Sequence, residues 1–343
     1  MKETAVDELD RRIVNALQIQ PRATWSKVAA ILGIGEVTAA RRWARLQEAG
    51  LVWVTAYPDT SAPTGSSAVV EVECAGTTTS VAEKLVRDPE CFTIDVTAGG
   101  RDLLVTVVGA DHEALADYAL DTIARLDGVR SVRTHVLAGI LTDASAWRLR
   151  ELTEDQVARL SEDPPEPVSQ PVPWSCLSEL ESAICAELVL DGRASATEIA
   201  KRVGAPVRRV RETIARLIRT RRAVLRTEIS RSASGWPISA WYFVRVPAGR
   251  VQRVASLLSR LPEIRTVFVT VGPTNIVLNV WLRNINEVSR LEAAIEEQLE
   301  QVEIVDRSVV LRTPKLAANI LDNQGRRSRG PTRSPEGKLR IPW

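Results

Sequence analysis

Two segments of this chain carry arginines at helical spacings that suit a polyanion. Over residues 36–48, Val37, Thr38, Arg41, Arg42 and Arg45 fall on one side of a helix, with Ala39, Trp43 and Leu46 on the other. Over residues 207–219, Arg208, Arg209, Thr213 and Arg216 take the matching side opposite Val210, Ile214 and Leu217, and Arg219, Arg221, Arg222 and Arg226 follow. Guanidinium groups pair with phosphate oxygens and with guanine edges. The expected partner is therefore double-stranded DNA, with Thr38, Arg41 and Arg42 at base edges and Arg45 on phosphate. The second face is more basic and offers fewer groups that read bases, so it is expected to supply salt-sensitive, non-specific affinity.

A different chemistry is suggested at two glycine turns. Thr97, Gly99, Arg101 and Asp102 place a guanidinium beside a carboxylate, a pair that could take the two ends of a small amino acid. Thr270, Gly272 and Asn275 stand at the corresponding turn without those charges. Only two histidines occur, His112 at an expected helix start and His135 in a strand, where solvent or sheet-face packing is expected. The cysteines Cys74, Cys91, Cys176 and Cys185 have no zinc or redox spacing and read as small hydrophobes. No catalytic residue, metal or cofactor is expected from this inventory. Trp43 reads as core, and the Trp236, Trp241 and Tyr242 group as a core or domain contact before a ligand pocket.

The elements that must position these residues are written twice. Leu9, Ile13, Leu17, Arg22 and Gly33 recur 171 residues later as Leu180, Ile184, Leu188, Arg193 and Gly204. Val81, Leu85, Pro89, Thr97, Gly99 and Val129 recur 173 residues later as Val254, Leu258, Pro262, Thr270, Gly272 and Val302. Each copy opens with three short amphipathic helices, the last two joined by a glycine turn, and continues as βαββαβ. The expected fold class is α+β: two winged-helix-like helix-turn-helix domains, each followed by a ferredoxin-like domain.

The boundaries read as 1–60 and 61–145 for the first copy, a Pro-rich linker over 146–175, 176–235 and 236–315 for the second copy, and a basic disordered tail over 316–343. A short helix is expected inside the linker from Thr153 to Leu160. Residues 1–55 carry 8 basic and 6 acidic side chains, 60–170 carry 9 and 19, and 174–231 carry 12 and 7. This alternation places the polyanion contacts in the helical segments rather than over the whole surface. No apolar run approaches a membrane span, and Met1-Lys2-Glu3-Thr4 is not the start of an apolar signal segment, so a cytoplasmic location is expected.

The order of elements, taken with Leu9-Asp10-x-x-Ile13, Arg41-Arg42, Arg45-Leu46, Gly50-Leu51-Val52, Gly99-x-x-Asp102-Leu103-Leu104 and Leu126-Asp127-Gly128-Val129, resembles the Lrp/AsnC family. The resemblance covers nearly the whole chain apart from linker and tail, in a tandem, fused form. It implies a transcription regulator whose sheet domains pair and bind an amino acid or related metabolite between them. Here that pairing is expected within one chain, as a covalent pseudo-dimer, with further assembly of chains through the sheet domains. The second copy departs where Asn275 replaces Asp102, Pro273 replaces Gly100 and Arg221-Arg222-Ala223 replaces Gly50-Leu51-Val52. The alternatives are a siroheme-decarboxylase-like enzyme of the same fold and an architectural DNA-binding protein without an effector.

Overall fold

The computed structural model describes residues 5–57, 59, 66–161, 177–299 and 301–330. In chain order the first copy runs α1 (Glu8–Ile19), α2 (Trp25–Leu32), α3 (Glu36–Glu48), β1 (Val52–Tyr57), β2 (Ser66–Cys74), α4 (Thr78–Leu85), β3 (Cys91–Thr97), β4 (Leu103–Gly109), α5 (His112–Asp117) and β5 (Val129–Thr142). A π-helical turn over Tyr118–Ile123 extends α5. After α6 (Glu154–Ser161) the second copy runs α7 (Glu179–Leu190), α8 (Ala196–Val203), α9 (Val207–Arg219), β6 (Val224–Ile229), α10 (Arg231–Ser234), β7 (Ile238–Arg245), α11 (Val251–Leu258), β8 (Ile264–Thr270), β9 (Ile276–Leu282), α12 (Glu287–Gln298) and β10 (Glu303–Leu316). Two short strands close it, β11 (Asn319–Leu321) and β12 (Arg327–Arg329).

The chain divides into two compact units that do not follow it serially. One gathers α1–α3, β1, α6–α10 and β12; the other gathers β2–β5 with α4 and α5, and β7–β11 with α11 and α12.

In the helical unit, local signals set the helix ends. Asp7 and Asp10 form a capping box at α1, Ser178 and Glu181 at α7, and Ser195 and Glu198 at α8. Gly33 and Gly204 both end their helices in the left-handed region, at φ +68°. The apolar faces then coincide under the 171-residue shift. Ile13, Leu17, Val28, Ala39, Trp43 and Leu46 are buried in the first copy. Their counterparts Ile184, Leu188, Ile199, Val210, Ile214 and Leu217 are buried in the second.

The two copies meet about an approximate two-fold axis. β1 and β6 pair antiparallel with Thr55 opposite Arg226, its own repeat partner. Arg22 donates to the carbonyls of Gly192 and Ala194 at 2.6 and 3.0 Å, and Arg193 returns the same bonds to Pro21 and Ala23 at 2.6 and 2.9 Å. Burial lowers the pKa of both guanidinium groups, that of Arg193 to about 10. Arg193 also lies 4.3 Å over the Trp25 ring.

Two sequence expectations change here. Part of the expected linker is docked: Leu149 N–H donates to Gln18 at 2.9 Å, Glu151 N–H to Asn15 at 2.8 Å, and Leu160 of α6 is buried. The apolar Leu149 and Leu160 within a polar, proline-flanked stretch are what hold it down. The expected disordered tail is also built in as far as residue 330. Arg327 donates through its N–H to Gly50 at 2.8 Å and through Nη2 to Leu190 at 2.6 Å. Gly50 is required there, because a Cβ would stand 2.5 Å from the Arg327 carbonyl oxygen. Residues 162–175 of the expected linker and 331–343 of the expected tail lie outside the described residues, as does Cys176; the other three cysteines are free and buried.

In the sheet unit the last strand of each repeat is shared. β5 pairs with β2 over its first part and with β8 from Leu137 onward. β10 pairs with β7 through Val309 and with β3 from Val310 onward. Residues 309 and 310 are the repeat partners of Val136 and Leu137, so the exchange is reciprocal. Eight strands therefore form a closed hydrogen-bonded circuit, β10-β3-β4-β2-β5-β8-β9-β7, with β11 added beside β10. Closure removes the free edges that would otherwise invite non-specific strand pairing. Helices cover each half on its outer side, over the cores built on Val70, Leu103 and Leu115 and on Tyr242, Leu278 and Leu291. Between the halves lie Val69, Leu104, Trp241, Phe243, Phe268, Val277 and Val310. Each such large apolar side chain contributes roughly 1.5–3 kcal/mol by leaving water.

Candidate nucleic-acid interface and effector site

On α3 the four basic and polar candidates divide. Arg42 donates to Asp7 at 2.6 Å and to the fully buried Asp10 at 3.0 Å. Arg45 donates to the other oxygen of Asp10 and, at 3.1 Å, to the Ala5 carbonyl. These two arginines, three residues apart, lie on the helix face that meets the start of α1. Arg42, expected at base edges, and Arg45, expected on phosphate, are thus both engaged by a buried carboxylate in this structure. The Arg42 hydrogen bond holds Asp7 below the usual carboxylate range, and the Asp7 and Asp10 bonds raise Arg42. Arg41, rotated about one-quarter turn away, is exposed without an ion-pair partner among the described residues. Val37 is 79% exposed and Thr38 half-buried. Trp43 is core, donating to Gln47 at 3.1 Å.

The second copy builds the same clamp, keeping Arg216 at the place of Arg45 and using Arg222 where the first copy uses Arg42. Glu181, the repeat partner of Asp10, accepts from Arg216 at 3.0 Å and Arg222 at 3.1 Å. Burial would raise its pKa, but the Ser178 N–H and hydroxyl and the two arginines outweigh that and lower it. Thr213, expected outside, is buried; it lies with Val210, Ile214 and Leu217 on the i, i+3, i+4, i+7 stripe that faces inward. Arg226 is also buried, ion-paired with Glu228 within β6. Arg208 pairs with Glu212 along the helix surface at 2.9 Å. Arg209, Arg211 and Arg219 remain exposed without an ion pair among the described residues. Arg211 escaped the sequence reading because Ala40 holds its place in the first copy; plain helical phasing from Arg208 would have found it.

The two glycine turns hold themselves together. Thr97 Oγ1 donates to the Arg101 carbonyl at 2.9 Å, and Thr270 Oγ1 to that of Thr274 at 2.8 Å. Asp102 accepts from Cys74 N–H at 2.7 Å and Thr78 Oγ1 at 3.2 Å. Asn275 spans Val246 in the same way, accepting from its N–H at 3.0 Å and donating to its carbonyl at 2.7 Å. Asp102 and Asn275 therefore fasten each turn to the end of a neighbouring strand. Gly99, at φ +113°, permits the turn; Gly272 holds the equivalent place.

Arg101 points the other way. Its Nε donates to Glu71 at 2.8 Å, Nη1 to Ser308 at 2.9 Å and Nη2 to Asp306, with its guanidinium 4.4 Å over Phe243. Arg101 and Asp102 thus do not converge on one point as a zwitterion pair would need. Glu71 also bonds His135 Nε2 at 2.5 Å and lies 3.5 Å from Arg133. Burial pushes the Glu71 carboxyl up, but the His135 bond and the two arginines bring it below its ordinary value. His135, expected at solvent or on a packed sheet face, is a buried member of this polar cluster. Under the repeat, Phe243 stands for Glu71, Thr274 for Arg101, Asp306 for Arg133 and Ser308 for His135. The charge is concentrated in one copy and completed by Asp306 and Ser308 of the other. Trp241 packs between the sheets and donates to Asp95 at 2.8 Å; Trp236 stacks edge-on with Trp147 at 6.1 Å.

Among the described residues no cluster of potential metal ligands occurs, and no helix is long and apolar enough to cross a membrane. The family model of the AsnC-type helix-turn-helix domain matches residues 6–47. That of the Lrp/AsnC ligand binding domain matches residues 67–145 and again 239–320. The HTH-type transcriptional regulator FL11 of Pyrococcus horikoshii is 31% identical over 136 residues, 38% of this chain and 89% of that protein. An uncharacterised HTH-type transcriptional regulator of Pyrococcus furiosus is 29% identical over 139 residues, 39% of this chain and 93% of its own. Among solved structures, the siroheme decarboxylase NirDL in co-complex with an iron-uroporphyrin III analogue covers 90% of this chain and 93% of its own, with a TM-score of 0.59. At 14% identity that likeness shows a shared fold and carries no chemistry.

Proposed function

Because the chain belongs to the Lrp/AsnC family, we propose that it is a DNA-binding transcription regulator in which one chain supplies two unequal reading heads. The observation that carries this reading is the sorting of the α3 side chains. Arg42 and Arg45 are consumed by Asp10, while Val37, Thr38 and Arg41 are left free on the outer face. A methyl-bearing side chain, a hydroxyl and a guanidinium suit a thymine methyl, either base edge and guanine respectively. α9 is the second head. Its exposed Arg209, Arg211 and Arg219 grip phosphate with Arg208 beside them, while Arg216 is held by Glu181 as Arg45 is by Asp10, and the helix contributes affinity more than sequence choice. The approximate two-fold relation of α3 and α9 within the helical unit calls for two half-sites, of which one is well defined.

In the sheet unit, an amino-acid-class effector would bind through Arg101. Asp306, whose side chain is 47% exposed, is the partner its carboxylate would displace. The hydroxyls of Thr97 and Thr270 and the Gly99 and Gly272 turns set the shape of the approach, and Asp102 and Asn275 support it.

Selection of binding sites from random duplexes tests the heads. The expected motif has one defined half and one loosely defined half. Arg209→Ala or Arg211→Ala should keep that motif while lowering the slope of log affinity against log salt by about one each. Two equally defined inverted halves would overturn the assignment. For the effector, a response to added amino acids that survives Arg101→Ala places the site elsewhere.

A further inference from the structure

The outer face of the second sheet repeat carries a groove of about 630 Å³ between α11 and α12, and the first repeat supplies an internal control for it. The same domain stands in both halves of the chain, without a gap through this region. In the first repeat, the equivalent space is filled and polar. The Tyr118 ring is buried there, its hydroxyl donating to Asp88 at 2.8 Å and lying 3.1 Å from Cys91. In the second repeat Leu291 replaces Tyr118 and Leu261 replaces Asp88, which removes both the plug and its anchor.

The backbone changes in the same sense. In the first repeat the start of α5 rests directly on Gly109: a Cβ there would meet Leu115 N at 2.9 Å and Asp111 O at 3.0 Å. The second repeat has Leu282 at that position, so α12 cannot approach its sheet as closely. The remaining walls follow suit, with Leu257 for Lys84 and Ala294 for Asp121. Leu257 is left 39% exposed at the mouth. Five lining positions thus turn aliphatic, while Glu287 for Ala114, Arg290 for Asp117 and Gln298 for Arg125 keep polar groups beside them; an aliphatic lining with one cation marks a site rather than drift in packing.

We propose that this groove binds a small aliphatic carboxylate, a molecule with a saturated chain and one anionic head. The lining side chains include leucine, isoleucine and alanine and no aromatic ring, which suits a flexible alkyl chain over a flat one. The volume lies within the range of small-molecule sites. Arg290 is the one cationic side chain of the lining, and it has no ion-pair partner among the described residues. Glu287 beside it is occupied, accepting from the Arg283 N–H at 2.8 Å and Asn284 Nδ2 at 3.4 Å. Those donors are neutral, so Glu287 and Glu263 both oppose an anionic head and Arg290 is the group that favours it.

Calorimetric titration of the full chain with hexanoate, octanoate and decanoate, and with decanol and decylamine, tests the proposal. One saturable site is expected, tightening about fourfold per methylene, with decanoate preferred to decanol and decanol to decylamine. Leu257→Lys, a surface change that restores the first-repeat residue at the mouth, should weaken decanol, whose head is neutral, at least tenfold without altering the far-ultraviolet circular dichroism. Leu291→Tyr should do the same by restoring the plug. Arg290→Ala should abolish the preference for decanoate over decanol, and Glu263→Gln should tighten decanoate. Absence of saturable decanoate binding, an equal affinity for decylamine, or full binding of decanol by Leu257→Lys would each overturn the proposal. So would a change of sedimentation coefficient caused by Leu257→Lys alone, which would assign the groove to self-association.

Discussion

Arg41 and Arg42 are adjacent residues of one type on one helix, and the structure gives them different surroundings. Replacing Arg42 by Ala leaves the fully buried Asp10 with Arg45 as its one remaining charged partner among the described residues, and leaves Asp7 with its capping bond from the Asp10 N–H but without the guanidinium. Arg45 stays, and the clamp is half-open to water, so the loss falls short of that for a wholly orphaned buried charge. About 1–3 kcal/mol of stability is expected, as for a buried acceptor that loses a charged donor. Arg41→Ala removes a side chain with no ion-pair partner among the described residues and should change stability by no more than about 0.5 kcal/mol. On DNA the order inverts. Arg41→Ala should weaken the selected site by about 1–3 kcal/mol, roughly 5- to 150-fold, with a smaller loss on unrelated duplex. Urea unfolding followed by helical circular dichroism, and fluorescence anisotropy with labelled duplex, measure the two quantities.

The acid limb supplies a second signature of the same clamp. Asp7 is held below its ordinary value, so its contribution is fully present at neutral pH. That contribution is lost as the pH falls below about 4 and the carboxylate takes up its proton. Arg42→Ala should remove this part of the acid dependence. If Arg42→Ala instead left stability intact and weakened DNA as much as Arg41→Ala, the ion pair would have to open on binding, and the division of roles would be wrong.

Two shorter expectations concern the contacts between copies. Arg193→Ala strands the carbonyls of Pro21 and Ala23 and should cost about 1–3 kcal/mol; a double-mutant cycle with Arg22→Ala should be non-additive by more than about 0.5 kcal/mol, and simple additivity would refute their coupling. Glu71→Gln should lower stability at neutral pH and flatten the loss below about pH 4.5, because the native carboxylate is held below its ordinary value and its contribution disappears as it protonates; an unchanged acid limb in urea titrations would refute this.

Periodicity and spacing made most elements legible, because a helix or strand announces its buried face in its own residues. The three helices of each copy, their glycine turns and the βαββαβ order follow from such local patterns. What was not legible depends on a distant partner. Alternation marks Val129 to Leu137 as a strand, yet nothing in that run says it will leave β2, reach β8 and continue to Thr142. Arg41 and Arg42 differ in their surroundings because Asp7 and Asp10 lie across from one of them. Thr213 stands at the place of Arg42 in the repeat, yet its phase on the helix sets it with Val210 and Leu217, and it is buried. The stretch around Arg327 looked unable to bury anything, and it is held by two backbone carbonyls rather than by an apolar face.

The buried cluster around Glu71 bears on why two copies should be joined at all. In a pair of identical first repeats, Arg133 would stand where Asp306 stands and His135 where Ser308 stands. The Arg101 guanidinium, buried and held by Asp306 and Ser308 here, would then face a second guanidinium and an imidazole. Phe243, which carries the faces of Arg101 and His135, would become a second glutamate. Like charges juxtaposed at an interface cost several kcal/mol, so the first repeat has become a poor partner for itself while remaining a good one for the second. A chain cut within residues 162–175 tests this. The two halves, produced together, should co-purify and sediment as a one-to-one pair. The first half alone should stay monomeric or pair far more weakly, and Arg101→Thr, the second-repeat residue at that place, should restore some of its self-pairing. A first half that dimerises as tightly as the mixed pair would show that the charges are accommodated, and that fusion is not what keeps the halves matched.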